Sequence, residues 1–232
     1  MSDQAQYPEH SYIRRRGRMT KSQAHGLQTL MPGFSCKPAE LIAQAQGKSL
    51  GVEIGFGMGQ ALLDWAAAAP DWQLCGIELY QPGVGALAAG LHRQRLDNVR
   101  VIEMPAQQVL AQFAALDAGP VIDEVRIFFP DPWPKKRHFK RRLIQPEFVQ
   151  SLAAVIRGGG RVRLATDWTP YAQWMRECFA ANDAFVSEVD HIRQADEQWT
   201  SEIARQTTKF ERRGEKLGHD IHDLIYRRSV QV

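Results

Sequence analysis

The stretch Leu50-Gly-Val-Glu-Ile-Gly-Phe-Gly-Met-Gly-Gln60-Ala-Leu-Leu-Asp-Trp-Ala-Ala-Ala-Ala69 decides the fold. Leu50–Ile54 is a short apolar run ending in glycines, the signature of a buried strand. Ala61–Ala69 has helix-forming composition and is stopped by Pro70. Strand, glycine loop and helix follow one another without a gap. The same alternation continues down the chain. Strands are expected at Gln73–Glu78, Val99–Glu103, Val125–Phe129 and Arg161–Thr166, and an apolar strand-like run at Ile221–Tyr226. Helices are expected at 38–45, 82–95, 106–116, Pro146–Ile156 and Pro170–Ala181. The helix at 82–95 is weakened by Gly83, Gly85 and Gly90. Gly158-Gly159-Gly160 reads as a turn. Strands alternating with helices imply βαβ units. The expected fold is α/β: a doubly wound, mostly parallel sheet with helices on both faces.

Length and composition agree with one domain. The 232 residues are 44% hydrophobic and 24% charged, close to a globular average. Pervasive disorder, collagen and coiled coil are excluded. No apolar run approaches the roughly 20 residues of a membrane span, so no membrane is expected. The N-terminus lacks a secretory pattern. Cys36, Cys75 and Cys178 lie far apart, in no metal or redox spacing. Reduced thiols and a cytoplasmic location are the expectation. The seven histidines do not cluster with acids or thiols, so no metal is expected. Residues 1–34 are polar and turn-rich and are expected to form a flexible basic arm; 35–232 form the domain.

Charge is unevenly placed. Residues 47–131 carry five basic and ten acidic groups, whereas 132–142 carry six basic and none acidic. A second basic cluster, Arg14-Arg15-Arg16-Gly17-Arg18, lies near the N-terminus. Charge runs are usually solvated surface. Two such clusters, one interleaved with His138 and Phe139, point instead to a polyanion such as RNA.

Doubly wound sheets bind ligands beyond the carboxyl ends of their strands. The first such end is Glu53-Ile-Gly55-Phe-Gly57-Met-Gly59. A dinucleotide fold wants Gly-x-Gly-x-x-Gly/Ala; here the third glycine comes one residue early. No Walker lysine follows. Glu53 beside the loop disfavours a pyrophosphate and favours a cationic sulfonium. Glu78, ending the next strand, can accept from ribose hydroxyls. The loop therefore suits S-adenosylmethionine better than NAD or ATP. After the fourth strand comes Pro130-Asp131-Pro132-Trp133-Pro134, a loop stiffened by three prolines and carrying one carboxylate. Trp133 is a candidate platform for a splayed base, or simply packs on the prolines.

Taken together, Glu53–Gly59, Phe128-Phe-Pro-Asp-Pro-Trp133 with Lys135 and the basic run to Arg142, Ala165-Thr-Asp-Trp168 and Thr208-Lys-Phe-Glu-Arg-Arg-Gly214 resemble the bacterial tRNA (guanine-N7-)-methyltransferases. The resemblance covers about residues 12–228. It implies a class I, Rossmann-like methyltransferase that uses S-adenosylmethionine to methylate N7 of a guanine in tRNA, at position 46 of the variable loop. It implies Glu53, Gly55, Gly57, Gly59, Glu78, Ala106 and Asp131 as cofactor-binding residues and Asp131 as catalytic. Lys135, Asp167, Thr208, Lys209, Phe210 and Glu211 correspond to substrate-binding positions. Lys136, Arg137, Lys140, Arg141 and Arg142 would hold RNA phosphates. Where the family has Asp or Asn before Ala106, this chain has Pro105, which offers adenine no side-chain partner. The chain is expected to act as a monomer or weak homodimer. Two alternatives stay open: an amino-group methyltransferase of the N6-adenine type, which uses a related loop but with a second proline where Trp133 stands, and a non-catalytic tRNA-binding module.

Overall fold

A computed structural model describes residues 18–194 and 209–230. Seven strands form one sheet: β1 Ser49–Ile54, β2 Trp72–Ile77, β3 Val99–Ile102, β4 Ile122–Phe128, β5 Ile156–Thr166, β6 Phe185–Arg193 and β7 Ile221–Arg228. Their order is β3-β2-β1-β4-β5-β7-β6. β1 to β5 pair in parallel, and β7 inserts antiparallel between β5 and β6. This is the doubly wound, mostly parallel sheet expected from the alternating pattern. In β1 and β2 all but the first residue is buried. Strands covered on both faces read as near-continuous apolar runs, which is why those runs do not alternate.

Helices α2 Pro38–Gln44, α5 Ala106–Ala114, α6 Pro146–Val155 and α7 Thr169–Ala180 share one apolar cluster, with Leu41, Phe113, Phe148 and Tyr171 buried in it. Helices α3 Gln60–Ala68 and α4 Gln81–Gln94 share a second cluster around Leu62, Trp65 and Leu87. Each large side chain so buried contributes roughly 1.5–3 kcal/mol. Among the described residues no helix is long and apolar enough to cross a membrane, and no group of His, Cys, Asp and Glu is placed to hold a metal ion.

Three features differ from the sequence expectation. First, residues 20–33 of the expected flexible arm are ordered turns. α1 Lys21–His25 starts with a capping box in which Thr20 Oγ1 accepts from Gln23 N–H and Gln23 Oε1 accepts from Thr20 N–H. It continues through Gly26–Gly33 and packs on α4. The arm residues 1–17 lie outside the described residues. Second, β5 starts at Ile156, so Gly158–Gly160 belong to a strand with an irregular register rather than to a turn. Third, β6 was not foreseen. It is an edge strand whose burial is broken and largely polar, so no apolar run announces it.

The glycines that weaken α4 are there for close approach. A Cβ at Gly85 would lie 2.0 Å from the Gln23 carbonyl oxygen of α1. One at Gly83 would lie 1.8 Å from the Gly57 carbonyl, and one at Gly90 2.6 Å from Leu63 of α3. α4 thus gives up helix propensity to let three neighbours touch its backbone. Gly85→Ala should lower stability by about 1–3 kcal/mol through overpacking, although alanine favours an isolated helix by about 1 kcal/mol. Denaturant unfolding checks this; an unchanged or raised midpoint would show that α1 does not seat there.

Candidate active site

The chain runs outward from β1 through β2 to β3, then returns to place β4 on the other side of β1. In a sheet wound this way the ligand crevice is expected where the winding reverses, beyond the carboxyl ends of β1 and β4. Gly55, Gly57 and Gly59 fill the β1 side, with φ of 75°, 56° and 82°. Left-handed φ strains any residue with a Cβ. Yet a Cβ at Gly55 would meet nothing within 4 Å. That loop position is glycine for its backbone conformation, and it faces open space.

Glu78 ties this loop to the next. Its carboxylate accepts from Gly57 N–H at 2.9 Å, Leu79 N–H at 2.7 Å and Tyr80 N–H at 3.0 Å. Three backbone N–H donors fix the position of this carboxylate between the two loops. Glu53 is buried, 3% exposed, at the end of β1, in register with Arg126 of β4. Arg126 lies 3.6 Å from the centre of the Trp65 ring and donates to Glu124 at 2.6 Å. Burial pulls the Arg126 guanidinium below its ordinary range, against the pull of Glu124 and Glu53. Ala106 opens α5, and Pro105 stands at its cap position with no side-chain bond. Pro105 thus offers a ligand there neither a side-chain partner nor an N–H.

Across the crevice, β4 turns sharply. Phe129 has φ 52° and Trp133 φ 42°, a conformation that costs bulky residues about 1–2 kcal/mol each. Phe129 N–H still donates to Ala165 O, so the chain leaves the sheet immediately after this bond. Asp131 is exposed on the resulting loop. Asp167 leaves the adjacent strand β5, in a turn shaped by Trp168 N–H donating to Thr166 Oγ1. Because Phe128 pairs with Ala165, the two aspartates emerge from neighbouring strand ends. Glu78, Glu53, Asp131 and Asp167 therefore line one sheet edge, from β2 to β5.

Lys136–Arg141 form a 3-10 turn. Lys135, Lys136, Arg137 and Lys140 are exposed. Arg141 is half-buried over the Trp133 ring at 4.9 Å, and His138 meets that ring edge-on at 5.6 Å. Burial and the cations Arg141, Arg137 and Lys135 hold His138 below the usual imidazole range, so it is neutral at neutral pH. Arg142 departs from the expected phosphate ramp: it is 2% exposed and turned inward.

Helix α8, Lys209–Lys216, packs on β7. Lys209 and Phe210 begin it, and Thr208 lies outside the described residues. Glu211 is fully buried in an ion pair with Arg193 of β6. Gly214 presses on Asp167: a Cβ there would lie 2.9 Å from the Asp167 Cβ and 3.0 Å from Oδ2. His219, whose N–H returns to Gly214 O at 3.0 Å, brings Nδ1 to 3.7 Å from Asp167 Oδ2. Neither Gly214 as a contact nor His219 was foreseen. The glycine in Arg-Arg-Gly214 was the visible hint; nothing in the spacing marks His219.

The comparisons fit this geometry. A family described as "Putative methyltransferase" matches residues 47–224. The tRNA (guanine-N(7)-)-methyltransferase of Pseudomonas savastanoi pv. phaseolicola is 42% identical over 224 residues, 93% of this chain and 88% of its own length. That of Nitrosococcus oceani is 43% identical over 232 residues, covering 96% and 92%. Among solved structures, an antibiotic-related methyltransferase superposes with TM-score 0.59 at 12% identity, covering 88% of this chain and 98% of the other. A 16S rRNA (adenine(1408)-N(1))-methyltransferase from Catenulisporales acidiphilia gives 0.56 at 17%, covering 85% and 96%. The structural likenesses speak for the fold alone. The sequence similarity, at 42–43% identity over more than nine-tenths of the chain, places it in the tRNA (guanine-N(7)-)-methyltransferase family.

Proposed function

We propose that this chain transfers a methyl group from S-adenosylmethionine to N7 of a guanine in tRNA, at position 46 in the variable loop. The observation that carries the reading is the junction at the end of β4. An acidic sheet edge faces an open glycine cradle, and an exposed basic turn begins five residues after Asp131. The amino-group alternative loses ground because Trp133 stands where that class has its second proline.

Bound in the cradle, S-adenosylmethionine supplies a methyl group on a positively charged sulfur. Gly55, Gly57 and Gly59 let the backbone approach it. Glu78 fixes the loop geometry and offers its remaining acceptor capacity to ribose hydroxyls. Glu53 contributes negative potential from beneath the loop. Ala106 presents its amide to the adenine.

Guanine N7 is an exposed lone pair without a proton, so no general base is required. Alignment and electrostatics carry the reaction. Asp131 orients the guanine and stabilises the positive charge that develops on it. Asp167, seated by Gly214 and flanked by His219, accepts from guanine N1 or N2. Lys135, Lys136, Arg137 and Lys140 hold phosphates, which sets the register of the RNA without reading its sequence. Thr208, Lys209, Phe210 and Glu211 contribute to substrate binding. Glu211 serves it by pinning the helix through Arg193 rather than by touching the base. In this reading the protein acts in the cytoplasm as a monomer or weak homodimer.

Radiolabelled S-adenosylmethionine with unmodified tRNA, followed by nucleoside analysis, should recover 7-methylguanosine. Recovery of N6-methyladenosine, or tRNA binding without transfer, would overturn the reading. Asp131→Ala should lower turnover by about 10²–10³-fold while tRNA affinity is largely kept; equal loss of both rejects the assigned role. Replacing Lys136, Arg137 and Lys140 together by Gln should weaken tRNA binding and reduce the slope of log affinity against log salt by about 2–3. An unchanged slope would make the turn ordinary surface. Gly214→Ala should displace Asp167 and cost up to about 10²-fold in turnover with little change in tRNA affinity; unaltered kinetics would remove Asp167 from the site.

A further inference from the structure

Three prolines, Pro130, Pro132 and Pro134, remove backbone donors from the loop that carries Asp131. The loop therefore cannot tie itself down with its own N–H groups at those positions. It also contains the left-handed Trp133, a conformation that persists only where surroundings impose it. Something outside the loop must hold it.

Arg142 does so. Its Nε–H donates to the Pro132 carbonyl at 2.9 Å. Its guanidinium lies 3.8 Å from the centre of the Phe139 ring and 5.0 Å from that of Tyr171. Tyr171 belongs to α7, is fully buried, and accepts from Ile144 N–H at 3.1 Å. Trp174 of α7 donates to Ile144 O at 2.8 Å, and Gln145 donates to the carbonyls of Phe139 and Arg142. The whole segment from Phe139 to Gln145 is thus anchored on α7. No carboxylate pairs with Arg142 among the described residues, and its Nη2 has no acceptor there. Burial pulls this guanidinium below its ordinary range, with Tyr171 and Cys178 acting against it.

A buried cation held by one carbonyl and two ring faces is a poor way to gain stability. Its neighbours explain it better. Arg141 covers the Trp133 ring while Arg142 grips the preceding carbonyl, so consecutive arginines clasp consecutive loop residues. α7 itself begins two residues after Asp167. One helix consequently governs both loops that carry the site's aspartates.

We propose that Arg142 is a positioning residue: its guanidinium clamps the Pro132 carbonyl to Phe139 and Tyr171, so that α7 sets the placement of Asp131 relative to Asp167. The inference rests on Asp131 being the residue whose placement matters for methyl transfer.

The test uses the full chain with S-adenosylmethionine and unmodified tRNA. Arg142→Met keeps volume and removes donor and charge. Its single-turnover rate should fall about tenfold or more, with tRNA Kd within about twofold and an unchanged salt slope, since no phosphate contact is lost. Arg142→Lys should recover little of the rate, because an ammonium cannot lie flat on two rings while donating to Pro132. Methylguanidinium should restore part of the rate to Arg142→Ala. Should Arg142→Met fail to fold, Phe139→Leu, which removes the ring but keeps the arginine, should lower the rate in the same sense with affinity retained. A weakened Kd with a flattened salt slope, matching Lys140→Gln, would make Arg142 a phosphate contact and overturn the proposal. A native rate per folded molecule in both Arg142→Met and Phe139→Leu would overturn it too. Asp131→Asn, run in parallel, separates the two failures. If it is inactive while the Arg142 variants are native-like, only this inference falls; if it is itself fully active, the site reading falls first.

Discussion

The parallel pairing of β4 with β1 is the constraint on which the rest depends. Gly51, Val52 and Glu53 register against Glu124, Val125 and Arg126. That pairing sends the second half of the chain to the opposite side of the first strand, and so opens the only kind of crevice a doubly wound sheet offers. It also sets Glu53 beside Arg126, giving a buried carboxylate a compensating cation. Phe128 of β4 then aligns with Ala165 of β5, which fixes where Asp131 and Asp167 leave the sheet.

Close backbone contact is the second theme. Gly83 rests on the glycine loop, Gly85 on α1, and Gly214 on Asp167. In each case a missing Cβ lets one element rest directly on another. Around the proline-rich loop the device is different. There, three prolines remove backbone donors, and side chains supply the grip: Arg142 on Pro132, Arg141 and His138 on Trp133. Rigidity suits a reaction that needs alignment more than proton transfer.

Much of this was legible beforehand because it is local. Apolar runs bounded by glycine and proline give buried strands and their order of appearance; Glu53–Gly59 and Pro130–Pro134 sit where such strands must end. The edge strand β6 escaped notice because its partner β7 supplies the pairing that its own polar sequence does not advertise. The turns at 20–33 escaped because their order depends on α4, far away in sequence. Arg142 was indistinguishable in sequence from Lys140 and Arg141; only the ring faces of Phe139 and Tyr171 turn it inward.

What the sequence by itself determined is the alternation of strands and helices, the glycine cradle, the acid-bearing proline loop and the basic turn that follows it. These depend on residue type and short spacing, which chain order preserves. Tertiary structure alone decided that Glu211 is locked in an ion pair with Arg193, that Gly214 seats Asp167, and that one arginine of the basic run faces the core. Those facts depend on which surfaces meet after the sheet has formed, and burial converts a charge from a solvated contact into a structural clamp.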